Sequence, residues 1–210
     1  MVFESIDSPE KAWLLGWIAT DGNVYYGNWR TQISLQDGDS ERHVCRMFEQ
    51  IAGGNSIGSV WKLNSKKECQ NLAKLGILPH KSLSIGRIEV PERFIWHFVR
   101  GVFEGDGGIT LRSGRNTPHV MFVSGGRRFI EWIGSIIGVP VYPDHGGRYF
   151  HCVVGGKVKL AELYQRMYDK SGDFVLARKK EKYEVGMRNF KSLEQLAERS
   201  RRNGRCYHGK

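Results

Sequence analysis

The chain has 210 residues and a net charge of +10, enough length to bury a core as one large domain or two modest halves. It has no run of eighteen apolar residues, which argues against a membrane-spanning helix, and acids precede its first apolar run, which argues against a secretory signal. Four scattered cysteines (Cys45, Cys69, Cys152, Cys206) with no CxxC or paired Cys/His spacing argue against zinc and for reduced thiols in a cytosol-like compartment.

In chain order, Ser8-Pro9-Glu10 reads as a helix start: a capping hydroxyl, proline at the first helical position, and an acid at the positive end of the dipole. The apolar run LLGWIATDG carries this helix to about Thr20 and ends it at Asp21-Gly22. Its interior Gly16 costs about 1 kcal/mol relative to alanine. Thr20, four residues on, is also small, and the pair clears a strip for close approach of a second helix. After Gly22 the period changes to two, and NVYYGNWRTQISLQD predicts a hairpin turning near Gly27 and Asn28, with Ile33 and Leu35 inward. An amphipathic helix over about 40–52, a strand over 56–63 and a short helix over 67–75 closed by Gly76 follow. Lys81 then falls in a loop.

The order repeats from about Pro91, where Pro91 and Glu92 predict a second helix, to about Gly105, capped in the same style as the first. VRGVFEGDG ends in Asp106-Gly107, 85 residues after the first Asp-Gly, with Gly101 and Gly105 repeating the small pair. GITLRSGRNTPHVMFVSG predicts a second hairpin, RRFIEWIGSIIG a helix ending at Gly138, VPVYP and RYFHCVV a strand pair, VKLAELYQRMY a helix, and LARKKEKYEVG the start of a basic closing helix. A fixed internal repeat means one supersecondary unit used twice. The expected units are residues 1–90 and 91–188, followed by a basic appendage over 189–210. Charge divides unevenly between them. Residues 1–90 hold ten basic and ten acidic side chains, while 178–210 alone hold eleven basic against four acidic. A surface of that kind suits a polyanion, because each neutralised phosphate releases counterions.

A single Asp-Gly after a helix is a turn signal. Two at equivalent places say more: helices packed along their glycine strips bring Asp21 and Asp106 together across a pseudo-two-fold axis. Close carboxylates repel unless a cation lies by them, and carboxylate with backbone carbonyl is an oxygen set that Mg²⁺ accepts. Beside a basic surface, that chemistry points to metal-assisted phosphodiester cleavage.

LLGWIATDG and VRGVFEGDG resemble the paired motifs of the LAGLIDADG homing endonucleases in their single-chain form, as do GILPHKS and LARKKEKY at the ends of the two halves. The resemblance extends to about Gly186. It implies an α+β fold of tandem αββαββα repeats, with two antiparallel saddle-shaped sheets and the motif helices at the central interface. It implies site-specific hydrolysis of double-stranded DNA, one phosphodiester per strand, at a long pseudo-palindromic or asymmetric target. By the same resemblance Asp21 and Asp106 would hold Mg²⁺ or Mn²⁺ with the carbonyls of Thr20 and Gly105, and Lys81 and Lys179 would supply a basic group in each half, Arg178 and Lys180 remaining alternatives to the latter. The motif's other acidic position, variable in the family, holds Ala19 and Glu104 here.

Arginine can pair with guanine and Asn or Gln with adenine in the major groove. Asn28, Arg30, Gln32 and Ser34, then Arg112, Arg115, Asn116 and His119, are therefore the candidate base-contacting residues. A monomer acting in a cytoplasm, nucleoid or organelle matrix is expected. An RNA-splicing maturase, or a non-cleaving DNA-binding protein on the same scaffold, is the alternative.

Overall fold

The computed structural model describes residues 1–36, 38–111 and 118–202, with the backbone alone at 111, 189 and 191–202. The first half runs α1 (Pro9–Thr20), β1 (Gly22–Tyr25), β2 (Arg30–Ser34), α2 (Asp39–Ala52), β3 (Asn55–Ile57), β4 (Val60–Asn64) and α3 (Lys66–Lys74). In the second half a single 3₁₀ turn, Glu92–Phe94, precedes α4 (Ile95–Gly105), β5 (Gly108–Leu111), β6 (Pro118–Ser124), α5 (Arg127–Ile137), β7 (Val141–Pro143), β8 (Phe150–Val154) and α6 (Lys157–Tyr168). A closing helix, α7 (Ala177–Arg202), continues through the start of the expected basic appendage. Each half forms one four-stranded antiparallel sheet, in the orders β1-β2-β4-β3 and β5-β6-β8-β7. The duplication expected from the repeated motif is thus present down to strand order.

The expected helix start is in place: Ser8 is the N-cap of α1 and its hydroxyl accepts from the Lys11 amide at 3.3 Å, with Pro9 next. Trp13, Leu14, Leu15, Trp17 and Ile18 are all buried. A helix apolar on every side is one surrounded by protein, and α1 lies between the first sheet's helical layer and α4. On one side Phe48 of α2 packs its ring 5.4 Å from Trp13 and 5.6 Å from Trp17, and Trp61 of β4 joins at 5.8 Å. Phe98, Phe103, Phe122 and Phe129 build the matching core of the second half.

Two expectations need amending. The stretch 56–63, read as one strand, is the end of β3, a turn and most of β4; Gly58 at φ 58° makes the reversal and the sequence break is only two residues long. The start of the second motif helix is not capped like the first, because Pro91 carries no side chain that can accept from an amide and the chain enters through the 3₁₀ turn. Among the described residues no helix is long and apolar enough to cross a membrane.

Candidate active site

The two motif helices touch backbone to backbone. A Cβ added at Gly16 would lie 2.4 Å from the carbonyl oxygen of Phe98, and one at Gly101 would lie 2.1 Å from that of Trp13. Only glycine fits at either place. Gly105 continues the contact: a Cβ there would meet Thr20 Oγ1 at 2.2 Å and Asp21 Oδ2 at 2.7 Å. The Asp21 carboxylate therefore lies against the residue that precedes Asp106. Both aspartates are C-caps with nearly the same backbone, φ −81° and ψ −9° at Asp21 and φ −83° and ψ −10° at Asp106. Asp21 leads directly into β1, and Asp106 leads into β5 through Gly107.

A lysine grips each aspartate's segment in the same way. Lys81 Nζ donates to the carbonyls of Thr20 (3.1 Å) and Gly22 (2.6 Å), on either side of Asp21. Lys179 Nζ donates to those of Gly105 (2.6 Å) and Gly107 (2.6 Å), on either side of Asp106, and to Phe103 (2.9 Å). Lys81 and Lys179 are only 5% and 9% exposed. His80, in the left-handed region at φ 56°, turns the loop just before Lys81. Of the three adjacent bases at the start of α7, Lys179 is the one on the Asp106 segment. Arg178 pairs through Nε with Glu41 of α2, and Lys180 lies over the Tyr168 ring at 5.8 Å.

The electrostatics follow from this packing. Burial, then the charge of Asp106, raises the Asp21 carboxyl to about 6, against the pull of Lys179 and Lys81. Burial also raises Asp106, with both lysines opposing, although Asp106 sits at the solvent-facing rim. Desolvation lowers each lysine to about 8, while both aspartates favour its charged form. Four charged groups thus share one edge, three of them withdrawn from solvent and Asp106 at its rim. A cleft of about 470 Å³ opens there, lined by Thr20, Lys81 and Asp106 with Leu83, Val123 and Tyr149.

The donor set fits a hard divalent cation. Two carboxylates and the adjacent Thr20 and Gly105 carbonyls are oxygen ligands of the kind Mg²⁺ takes, and each carbonyl that accepts from a lysine keeps a second lone pair. Among the described residues no group of three or more His, Cys, Asp and Glu could hold an ion. Waters and a phosphate oxygen would have to complete the shell, as is usual for Mg²⁺.

Of the candidate base-contacting residues, Arg30, Gln32 and Ser34 alternate on the outer face of β2, while Thr31 and Ile33 are buried beneath. Arg30 Nε donates to Asn64 Oδ1 at 3.0 Å and Gln32 Nε2 to Ser34 Oγ at 2.9 Å. Asn28 is exposed at the turn, and His119 lies on the outer face of β6 opposite Thr110. Arg112, Arg115 and Asn116 lie outside the described residues. The outer face of the first sheet also holds Asn23, Asn55, Lys62 and Asn64. Asn23 was open to sequence reading through the two-residue period after Gly22; Lys62 was hidden by the merged strand.

Glu104 has a role that sequence reasoning did not assign. It is buried on α4, and its Oε2 accepts from Trp13 Nε1 of α1 at 2.7 Å, tying the halves together behind the aspartates. Desolvation raises its carboxyl against the nearby Arg100. An ionisable pair four residues apart inside an apolar helix was the available signal.

No family model matches the sequence, and neither does any curated protein. Solved structures do match. The meganuclease I-SmaMI bound to uncleaveable DNA with a TTCT central four superposes with TM-score 0.53 at 11% identity, over 91% of this chain and 97% of that one. The LAGLIDADG homing endonuclease I-GzeII in complex with its DNA target gives TM-score 0.57 at 11% identity, over 90% and 92%. I-SmaMI bound to uncleaved target in the presence of calcium ions gives 0.51 at 11%, over 90% and 97%. With its two motif helices in contact at Gly16 and Gly101 and its sheets in matching order, the chain has the fold of the single-chain LAGLIDADG homing endonucleases.

Proposed function

We propose that this protein is a site-specific endonuclease that cuts both strands of duplex DNA with divalent metal ions, Mg²⁺ or Mn²⁺, held at Asp21 and Asp106. One observation carries the reading: two aspartates with matching backbone end two touching helices, and a buried lysine holds the carbonyls around each. Two similar half-sites on one rigid edge suit two similar bonds, one on each strand. The DNA-bound neighbours and the surplus positive charge support DNA as the substrate.

In this mechanism Asp21 and Asp106 supply the carboxylate ligands and the Thr20 and Gly105 carbonyls stand beside them. Metal bound there would orient the attacking water and stabilise the leaving oxygen. Lys81 and Lys179 fix the backbone on both sides of each aspartate, so the ligand geometry is preorganised. Their ammonium groups, buried beside the two aspartates, also favour a phosphate at that edge. The outer faces of the sheets lie in the major groove, and the basic C-terminal stretch grips phosphates, adding affinity without sequence choice.

Selection of cleaved products from a randomised duplex library in Mg²⁺ tests the reading and yields the target. Asp21→Asn or Asp106→Asn should abolish double-strand cleavage while leaving affinity for the selected duplex within about threefold, about 0.7 kcal/mol. Double-strand cutting by either variant at the wild-type rate would refute the assignment.

A further inference from the structure

The two sheets share an order, so their outer faces can be compared rank by rank. The first rank begins two residues after each catalytic-edge aspartate. In the first half it reads Asn23, Gln32, Lys62 across the register pairs Asn23↔Gln32 and Gln32↔Lys62. In the second half the equivalent rank reads Gly108, Met121, Val153, through Gly108↔Met121 and Met121↔Val153. A neighbouring rank pairs Val123 with His151, and His151 with Tyr142. Among the described strand residues the outer face of the second sheet carries no Lys, Arg, Asn or Gln, although this half holds the surplus of positive charge.

These apolar side chains do not belong to the core. The core face of the same strands is Val120, Phe122, Cys152 and Val154, all buried, whereas Val153 and Tyr142 are 37% and 54% exposed. The outer face is also continuous with the active edge, since Val123 and Ser124 line the cleft that contains Asp106 and Lys81. Val123 lines the same cleft as Asp106, and Met121 and Val153 continue from Gly108, two residues after that aspartate, across the outer face.

The major groove displays a single apolar group, the C5-methyl of thymine. A Met–Val surface placed against guanine or the cytosine amino group would strip water from donors and acceptors and return no hydrogen bond. We infer that the two halves read their half-sites by different chemistry: the first by hydrogen bonds from Asn23, Gln32 and Lys62, the second by apolar contact of Met121, Val123 and Val153 with thymine methyls. The bound occupant of this face is thus a thymine-bearing half-site next to the cut. This rests on the proposed DNA cleavage and extends it to the base composition of one half of the target.

The test uses the full chain and the duplex recovered from the randomised library. Thymidines near the cut in the half-site on the second sheet are replaced one at a time by deoxyuridine, which removes the methyl and keeps the Watson–Crick pair. Each methyl contacting the Met121–Val153 rank should cost about threefold in affinity by fluorescence anisotropy, with no change for equivalent replacements in the other half-site. Met121→Gln should abolish the deoxyuridine effect at its own position and shift preference there toward adenine, while an unchanged thermal midpoint shows that the fold is intact. A selected second half-site rich in G·C, equal deoxyuridine sensitivity in both halves, or a solution dimer that buries this face would overturn the inference. Failure to bind or cut any duplex would instead overturn the endonuclease reading.

Discussion

Asp21 bears a cost that its surroundings do not fully offset. Its carboxyl stands raised from 3.8 to about 6 because burial and the Asp106 charge together outweigh two lysines. One unit of such a shift corresponds to about 1.4 kcal/mol. Replacing Asp21 by asparagine keeps the shape and removes the charge, so without metal the variant should be more stable by about 1 kcal/mol, or roughly 2–4 °C in a chain of this size. Mg²⁺ should raise the midpoint of the wild type and leave Asp21→Asn less affected. A midpoint that falls in the metal-free variant would mean that the carboxylate stabilises the fold. Lys81 shows where sequence reading stops at this scale. GILPHKS placed the lysine in a loop, but its burial depends on the φ of His80 and on two carbonyls about sixty residues away. Neither is written locally.

At the scale of elements, α1 and α4 obey a steric rule that is visible in sequence. A glycine in the middle of an apolar helix is unfavourable by about 1 kcal/mol unless something needs the space. Here the backbone of the partner helix occupies it. Gly16→Ala gains that propensity but drives a methyl to 2.4 Å from the Phe98 carbonyl and 2.7 Å from the Val102 amide. Backbone cannot step aside cheaply, and the net loss should be about 2 kcal/mol in thermal unfolding. Gly27→Ala, with nothing within 4 Å of the added carbon, is the matched control and should be near neutral. The helices and their ends were legible because caps, glycines and a 3.6-residue period are local signals. The β3–β4 hairpin was not, because a two-residue break around Gly58 looks like a continuing strand when read alone.

For the whole molecule, the duplication was legible and so was its consequence, two aspartates meeting at one edge. The difference between the halves was only partly so. Charge counting located the surplus in the second half and its tail. It could not reveal that the outer face of that half's described strands carries Met121, Val123 and Val153 and no Lys, Arg, Asn or Gln, which requires knowing the register and which face is buried. The proposed function would divide the labour, with phosphate gripping by the closing segment and base reading by the sheets. Residues 189–210 hold six basic and two acidic side chains. A chain ending at Arg188 should therefore lose about 2–4 units of the slope of log affinity against log salt, at about 0.9 per phosphate contact, while keeping its preferred target sequence. An unchanged slope would place the phosphate contacts elsewhere.

The backbone contact at Gly16 and Gly101 bears on the products as well as on the fold. Side chains adjust by changing rotamer, but two main chains in van der Waals contact do not, so the spacing between Asp21 and Asp106 is set by the helices themselves. If each aspartate serves one strand, the stagger between the two nicks, and hence the length and polarity of the overhang, is built into that glycine seam. Redesigning the outer faces of the sheets would then change where the duplex is cut and leave the cohesive ends the same.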